Sequence, residues 1–257
     1  MTPDKSGTPY PRYITEENRN EEITNGALVQ LYYSPRRYVL RLLEKLRENS
    51  STSSATPLST EDNNRLTTLR EILEHSADPA FVVEFDAQGG LKWLMSSLQA
   101  KNTFTVEEQA LALEIFLRTM EHDIVHWTSV DKAFIDCVAT NIYSRADLNS
   151  TSGASERGGG DSLDHERKLL ITSLAILEAA VISCPGKFVA EIERQITLPS
   201  LNQLLKNDRL PAVQQNVLAL INAILARTDA NRRRAMAATL TSRQFKDTIL
   251  QYVVNKK

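Results

Sequence analysis

The sequence predicts an all-α protein, a solenoid of stacked helical repeats that carries a short β-hairpin near its N-terminus. Three observations support this fold class. Apolar residues recur at helical spacing through most of the chain, and two distant segments share one layout of a short helix and a longer helix. Only residues 13–34 show two short strand-like runs around an Asn-Gly turn.

The N-terminal elements are defined by turn residues and by one apolar stripe. Residues 1–12 lack periodicity and are expected to be disordered, and residues 13–34 form the predicted hairpin around Asn25-Gly26. Pro35 is a typical first helical residue, and Val39, Leu42 and Leu46 follow on one helical face. Since a Ser/Thr-rich run comes next, residues 35–60 are predicted to be a helix and a solvated linker.

Residues 61–257 are predicted to be a continuous region of helical repeats. Apolar residues have helical spacing in the segment that begins near Leu66 and stops before Pro79. The same spacing recurs in the segments that follow. The run 123–143 is predicted to be one long helix. Residues 144–162 are rich in Gly and Ser and lack apolar periodicity, so they are predicted to be a flexible insertion between two helices.

Two segments of this region resemble each other. Gly89 to Met120 and Leu198 to Thr228 each contain a short L-x-x-L helix, a polar turn and a longer apolar helix, which is the layout of armadillo repeats. Stacked repeats bury a core that no single repeat buries alone. The expected structure is therefore an armadillo-like helical repeat solenoid. An irregular helical bundle is the alternative, because it has the same local patterns.

Charge and cysteine content exclude several classes of protein. The 257 residues include 30 Lys or Arg and 32 Asp or Glu, and a net charge of −2 provides no field to hold nucleic acid. Cys137 and Cys184 are too few for a disulfide framework and are predicted to be reduced, buried thiols. The chain shows neither a signal peptide nor a run of eighteen apolar residues, so it is predicted to be cytoplasmic and without a membrane span.

The strongest enzymatic candidate is "HDIVH", with His122, Asp123 and His126. Two His residues four positions apart on one helix can hold zinc, with an acidic residue as general base. Asp reaches less far than Glu, however, and no third ligand follows at a suitable spacing. We interpret the segment as a turn, with His122 near a helix C-terminus, and we predict no metal site, cofactor or catalytic residue.

Arg232, Arg233 and Arg234 are the candidate binding residues. Consecutive arginines can bind an acidic protein partner or a phosphate group. Three successive residues of a helix point in different directions, however, and a solvated helix face produces the same pattern. We predict these arginines as protein-binding residues on the repeat region.

Several segments together resemble the ELMO (engulfment and cell motility) family. The resemblance begins with "YITEENRN" and "NGALVQLYYSP", and it continues in "FVVEFDAQGGLKWLMSSL" (81–98) and "MEHDIVHW" (120–127). It extends through "SLAILEAAV" (173–181) and "RQITLPSLNQLL" (194–205), and covers Tyr13 to Asn255. The chain is similar to the N-terminal part of that family, in which a ubiquitin-like, Ras-binding-type domain precedes armadillo-like helices. The hairpin at 13–34 is then the remnant of such a domain.

The resemblance implies a non-catalytic regulatory adaptor. Its implied partners are a DOCK-family exchange factor and a Rho-family GTPase, in Rac activation, actin reorganisation, cell motility and engulfment of apoptotic cells. The family assigns DOCK binding to a C-terminal region that this sequence does not contain. A second interpretation is therefore a helical-repeat scaffold for another protein partner, with the signalling domains lost.

Overall fold

The computed structural model of the protein describes residues 17, 19–23, 34–51, 61–100, 103–144, 160–206 and 211–254. The chain divides into two compact units, Met1–Ser34 and Pro35–Lys257. In the first unit, α1 (Arg19–Glu22) is a single helical turn. The second unit contains the helical core, and the candidate residues of the sequence analysis lie in it.

Most of the predicted hairpin (13–34) lies outside the described residues, as do residues 1–12 and the linker from residue 52 to residue 60. The described part of the hairpin is helical where the prediction places its first strand. The main-chain nitrogen of Ile23 donates to the carbonyl of Arg19 at 2.9 Å, which closes one helical turn. The local sequence "NRNEE" contains no alternating apolar residues that would hold a strand on a sheet.

The second unit consists of successive helices in every part that the structure describes. They are α2 (Pro35–Ser51), α3 (Glu61–His75), α4 (Pro79–Ala87), α5 (Gly90–Gln99), α6 (Val106–Glu121), α7 (Lys132–Tyr143), α8 (Gly160–Ser183), α9 (Pro185–Gln195), α10 (Leu198–Leu205), α11 (Pro211–Arg227), α12 (Ala230–Leu240) and α13 (Arg243–Thr248). A 3₁₀ helix (Trp127–Ser129) precedes α7, and a π-helix (Ile249–Val254) follows α13. None of the described residues is in a β-strand, which confirms the all-α class.

Short polar side chains set the first residues of several helices. Asp78 accepts a hydrogen bond from the main-chain nitrogen of Ala80 at 2.9 Å, directly before the proline that begins α4. Asp131 accepts one from the nitrogen of Phe134 at 2.7 Å at the start of α7. Such caps satisfy N–H groups that have no partner within the helix. Helix boundaries in this protein thus follow local sequence.

Two predicted boundaries are corrected. The single helix predicted over 123–143 is interrupted, because Asp131 caps a new helix and only the 3₁₀ turn of Trp127–Ser129 lies before it. The insertion predicted over 144–162 is shorter at its end, because α8 already includes Gly160. Residues 145–159 of that insertion lie outside the described residues.

The buried side chains of the second unit form one continuous core from Val39 to Phe245. Helix α8 is central to it, since it packs extensively against both α6 and α11, and α6 packs in turn against α3. The rings of Phe116 and Phe134 lie 4.5 Å apart between α6 and α7. Most helices of this unit therefore bury their apolar side against neighbours, as stacked repeats require.

Gly90 lies at a close contact between α4 and α5. A Cβ atom at this position would lie 2.5 Å from Cε2 of Phe85, whose side chain is fully buried and stacks on Phe81. Gly90→Ala is therefore expected to lower the free energy of unfolding by about 1–3 kcal/mol through overpacking. Urea unfolding followed by circular dichroism measures this change.

Gly186 provides the matched control for this prediction. It is also near the start of a helix, α9, and a Cβ atom there would meet nothing within 4 Å. Gly186→Ala should leave stability unchanged or raise it by about 0.5–1 kcal/mol, because alanine restricts the unfolded chain. Equal effects of the two substitutions would contradict the packing at Gly90.

Candidate protein-interaction surface

Charged side chains connect three neighbouring helices along one side of the repeats. Glu107 of α6 accepts a hydrogen bond from Nη2 of Arg70 in α3 at 2.5 Å, and its Oε1 lies 3.5 Å from Nε2 of His165 in α8. Glu114, two turns further along α6, contacts Lys168 of α8. We call these five residues the charge ladder. Because surface ion pairs add little stability, the ladder mainly orients polar groups at the protein surface.

Helix α8 also presents a carboxylate that none of the described residues pairs with. Glu178 is half-buried, and this burial raises the pKa of its carboxyl above the usual range. One turn further along, Ile182 is exposed over 46% of its surface. This part of α8 therefore offers an apolar contact beside a partly desolvated acid, and a shifted carboxyl pKa marks a candidate functional position.

The arginine triplet lies on α12 and its three side chains have different environments. Nη1 of Arg232 donates to Glu193 of α9 at 2.9 Å. Arg233 turns back toward the end of α11, where Nε donates to the carbonyl of Leu225 at 2.9 Å and Nη2 to that of Thr228 at 3.0 Å. Arg234 is exposed and has no partner among the described residues.

These contacts assign different roles to the three arginines. The guanidinium of Arg233 satisfies carbonyl groups at a helix C-terminus, where a cation is also favoured by the helix dipole. Arg232 attaches α12 to α9 through an ion pair. The sequence correctly indicates that consecutive residues diverge, but it contains no pattern that separates the capping arginine from the free one.

The side chains of the candidate zinc site do not come together. His122 is the C-cap of α6, and its Nε2 lies 2.8 Å from the carbonyl oxygen of Ser76. His126 is exposed and occupies the N-cap position of the 3₁₀ helix, outside α6, so the two imidazoles do not share a helix face. Within the described ranges, no group of three or more His, Cys, Asp or Glu side chains is placed to hold a metal ion.

Asp123, the acidic residue of that motif, has a left-handed backbone with φ of 55°. It directly follows the C-cap of α6, where glycine is the usual residue because it has no Cβ to strain. We expect Asp123→Gly to raise the free energy of unfolding by about 0.5–1 kcal/mol, since it relieves this strain. Urea unfolding measures the gain.

Gly89 gives the reverse test. Its φ is 77° and a Cβ atom there would meet nothing within 4 Å, so Gly89→Ala adds backbone strain without a clash. This substitution should lower the free energy of unfolding by about 1 kcal/mol. A loss of stability in Asp123→Gly would show that the Asp123 side chain makes a compensating contact.

The two cysteines and the two tryptophans are partly buried. Cys137 and Cys184 are free, as predicted, but each is half-buried where full burial was expected. Cys137 donates to the carbonyl of Leu98 at 3.1 Å, and burial raises the pKa of its thiol. Trp93 and Trp127 are partly buried and pack against the core. Among the described helices none is long and apolar enough to cross a bilayer.

Comparison with known proteins identifies the relatives of this fold. The family model described as "ELMO, armadillo-like helical domain" matches residues 80–155 and 161–254. The chain is 28% identical over 245 residues to engulfment and cell motility protein 2 of Bos taurus, and the match covers 94% of this chain and 30% of the relative. It is 26% identical over 254 residues to engulfment and cell motility protein 1 of Homo sapiens, with the same coverage.

The chain thus spans less than a third of the length of these two curated relatives. The matched residues extend from α4 to the π-helix, and they include the arginine triplet and every residue of the charge ladder except Arg70 of α3. The match confirms the armadillo-like helical class that the internal repeats predict. Because the family model covers more than half of the sequence, the protein belongs to the ELMO armadillo-like helical domain family.

Proposed function

We propose that the protein is a non-catalytic regulatory adaptor of the ELMO type. In this role it acts in the cytoplasm as a protein-interaction module, together with a DOCK-family exchange factor and a Rho-family GTPase. The process would be Rac activation, leading to actin reorganisation, cell motility and engulfment of apoptotic cells. The observation that carries the proposal is the family match over residues 80–155 and 161–254.

The described surface supports a binding role. The charge ladder holds polar groups of α3, α6 and α8 in fixed positions, and Glu178 and Arg234 remain available for a partner. Ion pairs and unpaired charges of both signs favour selection of a partner by charge complementarity. We propose Arg232, Arg233 and Arg234 as part of this surface, with Arg233 acting by fixing α12.

Co-precipitation tests the proposal. The tagged chain, expressed in phagocytic cells, is expected to recover a DOCK-family exchange factor or a Rho-family GTPase above the level of an unrelated helical-repeat protein. The matched control is the same chain with Leu220→Ala, which should lose recovery in proportion to its unfolded fraction. Recovery of neither protein by the folded chain would contradict the adaptor role.

A second candidate function is a helical-repeat scaffold for another protein partner. It is favoured by the groups that the repeats present at their surface, since Glu178, Ile182 and Arg234 are suited to contact with a protein partner of another kind. Under this alternative the same co-precipitation, analysed by mass spectrometry, should recover a different protein with defined stoichiometry. Binding of a purified exchange factor to the purified chain would exclude this alternative as the main role.

A further inference from the structure

Helix α12 differs from the other long helices because none of its residues is buried. Only Met236 and Leu240 are half-buried and pack against the core. The attachment of α12 is otherwise polar, through the Arg232 ion pair with Glu193 and the hydrogen bonds of Arg233 to α11. A helix that buries so little of its surface gains little from tertiary packing, so most of its surface is open to a partner.

The chain segment that contains α12 is basic. Residues 227–254 contain six Lys or Arg and two Asp or Glu, although the whole chain contains 30 and 32. Both acids are engaged. Asp229 accepts hydrogen bonds from the main-chain nitrogens of Arg232 and Asn231, which lowers the pKa of its carboxyl, and Asp247 lies 3.6 Å from Arg243.

Three cations in this region have no partner within the described part of the chain. They are Arg227 at the end of α11, Arg234 on α12 and Lys246 on α13, and all three are exposed. We call these three residues the basic patch. An exposed cation without a partner keeps its full capacity to bind a carboxylate. Arg232 and Arg233, in contrast, already donate hydrogen bonds within the chain, to Glu193 and to the carbonyl of Thr228.

The outward face of α12 suits another polypeptide chain. Helical spacing places Ala230, Ala237 and Ala238 on the same face as Arg234. These small side chains allow a second helix or an extended segment to approach closely, and a planar guanidinium binds a carboxylate through two parallel hydrogen bonds. The exposed residues of α12 include no aromatic or large apolar side chain to insert into a lipid surface.

From this arrangement we propose that α12 and the basic patch form a docking site for an acidic polypeptide segment. The carboxylates of that segment pair with Arg234 and Arg227, while its backbone lies along the alanines of α12. The inference rests on the proposed function as a protein-binding adaptor. It names a site and a partner chemistry that the family match does not supply.

The test uses the full chain and a fluorescent helical peptide built only of Ala and Glu. Arg227→Glu combined with Arg234→Glu is expected to weaken peptide binding by about tenfold or more, because each reversal replaces an attraction by a repulsion. Binding by the unmodified chain should also weaken as salt is raised. A milder variant, Arg234→Gln, keeps the test valid if the double reversal unfolds, and it should weaken binding by about threefold to tenfold.

A matched control separates the patch from net charge. Arg36 and Lys92 are also exposed and without a described partner, but they lie on α2 and α5. Arg36→Glu combined with Lys92→Glu makes the same change of net charge and should alter peptide binding by less than about twofold. Arg233→Ala should lower the melting temperature while the folded fraction still binds the peptide, since Arg233 acts as a cap.

Three outcomes would overturn the inference. They are failure of the unmodified chain to bind the peptide, equal weakening by the two double variants, and binding of phosphatidylserine vesicles in place of the peptide. Because the peptide is synthetic, its binding is separate from recovery of an exchange factor. Peptide binding without exchange-factor recovery would support the docking site and contradict the proposed ELMO-type function. Exchange-factor recovery without peptide binding would support that function and contradict the docking site.

Discussion

Leu220→Ala is expected to lower the free energy of unfolding by about 2–5 kcal/mol. Leu220 lies in α11 with a relative exposure of 0%, and α11 packs along α8 at the centre of the C-terminal repeats. The substitution removes buried methyl groups and leaves a cavity that surrounding helices fill only in part. Because each repeat contacts mainly its neighbours, the loss should appear first in the C-terminal helices.

Urea unfolding and hydrogen exchange measure the size and the location of this effect. Leu218→Ala is the control, since Leu218 lies on the same helix but is only half-buried. It should lower the free energy of unfolding distinctly less than Leu220→Ala. Hydrogen exchange should increase most in α11 and in α10, which packs against both α11 and α13. An unchanged melting temperature in Leu220→Ala would show that α11 is not stacked in the core.

Helical periodicity was sufficient to predict the long helices because their apolar faces are wide. In α8, for example, Leu170, Leu174, Leu177 and Val181 recur at helical spacing in the sequence, and all four are fully buried. Such a stripe is determined by spacing alone. The two similar segments correspond to α5 with α6 and to α10 with α11, so repetition in the sequence also located equivalent pairs of helices.

Boundaries that depend on a single cap were harder to predict. The run 123–143 contains enough apolar residues to resemble one helix, but the Asp131 side chain caps a new helix at Lys132. Asp three residues before Phe134 is a usable local indication, because N-cap acids accept hydrogen bonds two or three residues ahead. The sequence gives no such indication of the left-handed backbone at Asp123, because the residue usually found in that conformation after a helix is glycine.

The candidate surface was predicted least completely, because its contacts join helices that are distant in sequence. The triplet Arg232–Arg234 was recognised as basic, but its division into an ion pair, a cap and a free cation depends on where α9 and α11 lie. Glu178 gave no sequence indication, since its importance comes from burial without a partner. Periodicity reports which face of a helix is apolar and not which charged residues meet across helices.

Glu108→Ala is expected to lower the free energy of unfolding by about 3–5 kcal/mol. Glu108 is a charged residue with a relative exposure of 2%, at the start of α6. Its carboxylate accepts two hydrogen bonds from Arg65 of α3, from Nε at 2.5 Å and from Nη2 at 2.9 Å. It also accepts one from the main-chain nitrogen of Thr105 at 2.7 Å, which completes a capping box.

Removal of this carboxylate has two separate costs. The helix loses half of its capping box, which is worth about 1 kcal/mol. Arg65, whose side chain is only 15% exposed and lies over the ring of Phe104, is left without its partner. A buried charge that loses its partner retains its desolvation penalty, and this is the larger of the two costs.

A comparison within one helix and a double-mutant cycle separate these costs. Glu107→Ala, at the neighbouring position, breaks an exposed ion pair with Arg70 and should cost less than about 1 kcal/mol. In the cycle, Arg65→Met should lower the free energy of unfolding less in the Glu108→Ala background than in the unmodified chain. In that background the substitution removes a cation that has already lost its partner. If urea unfolding gives additive effects for Arg65→Met and Glu108→Ala, the two side chains do not form the buried pair that joins α3 to α6.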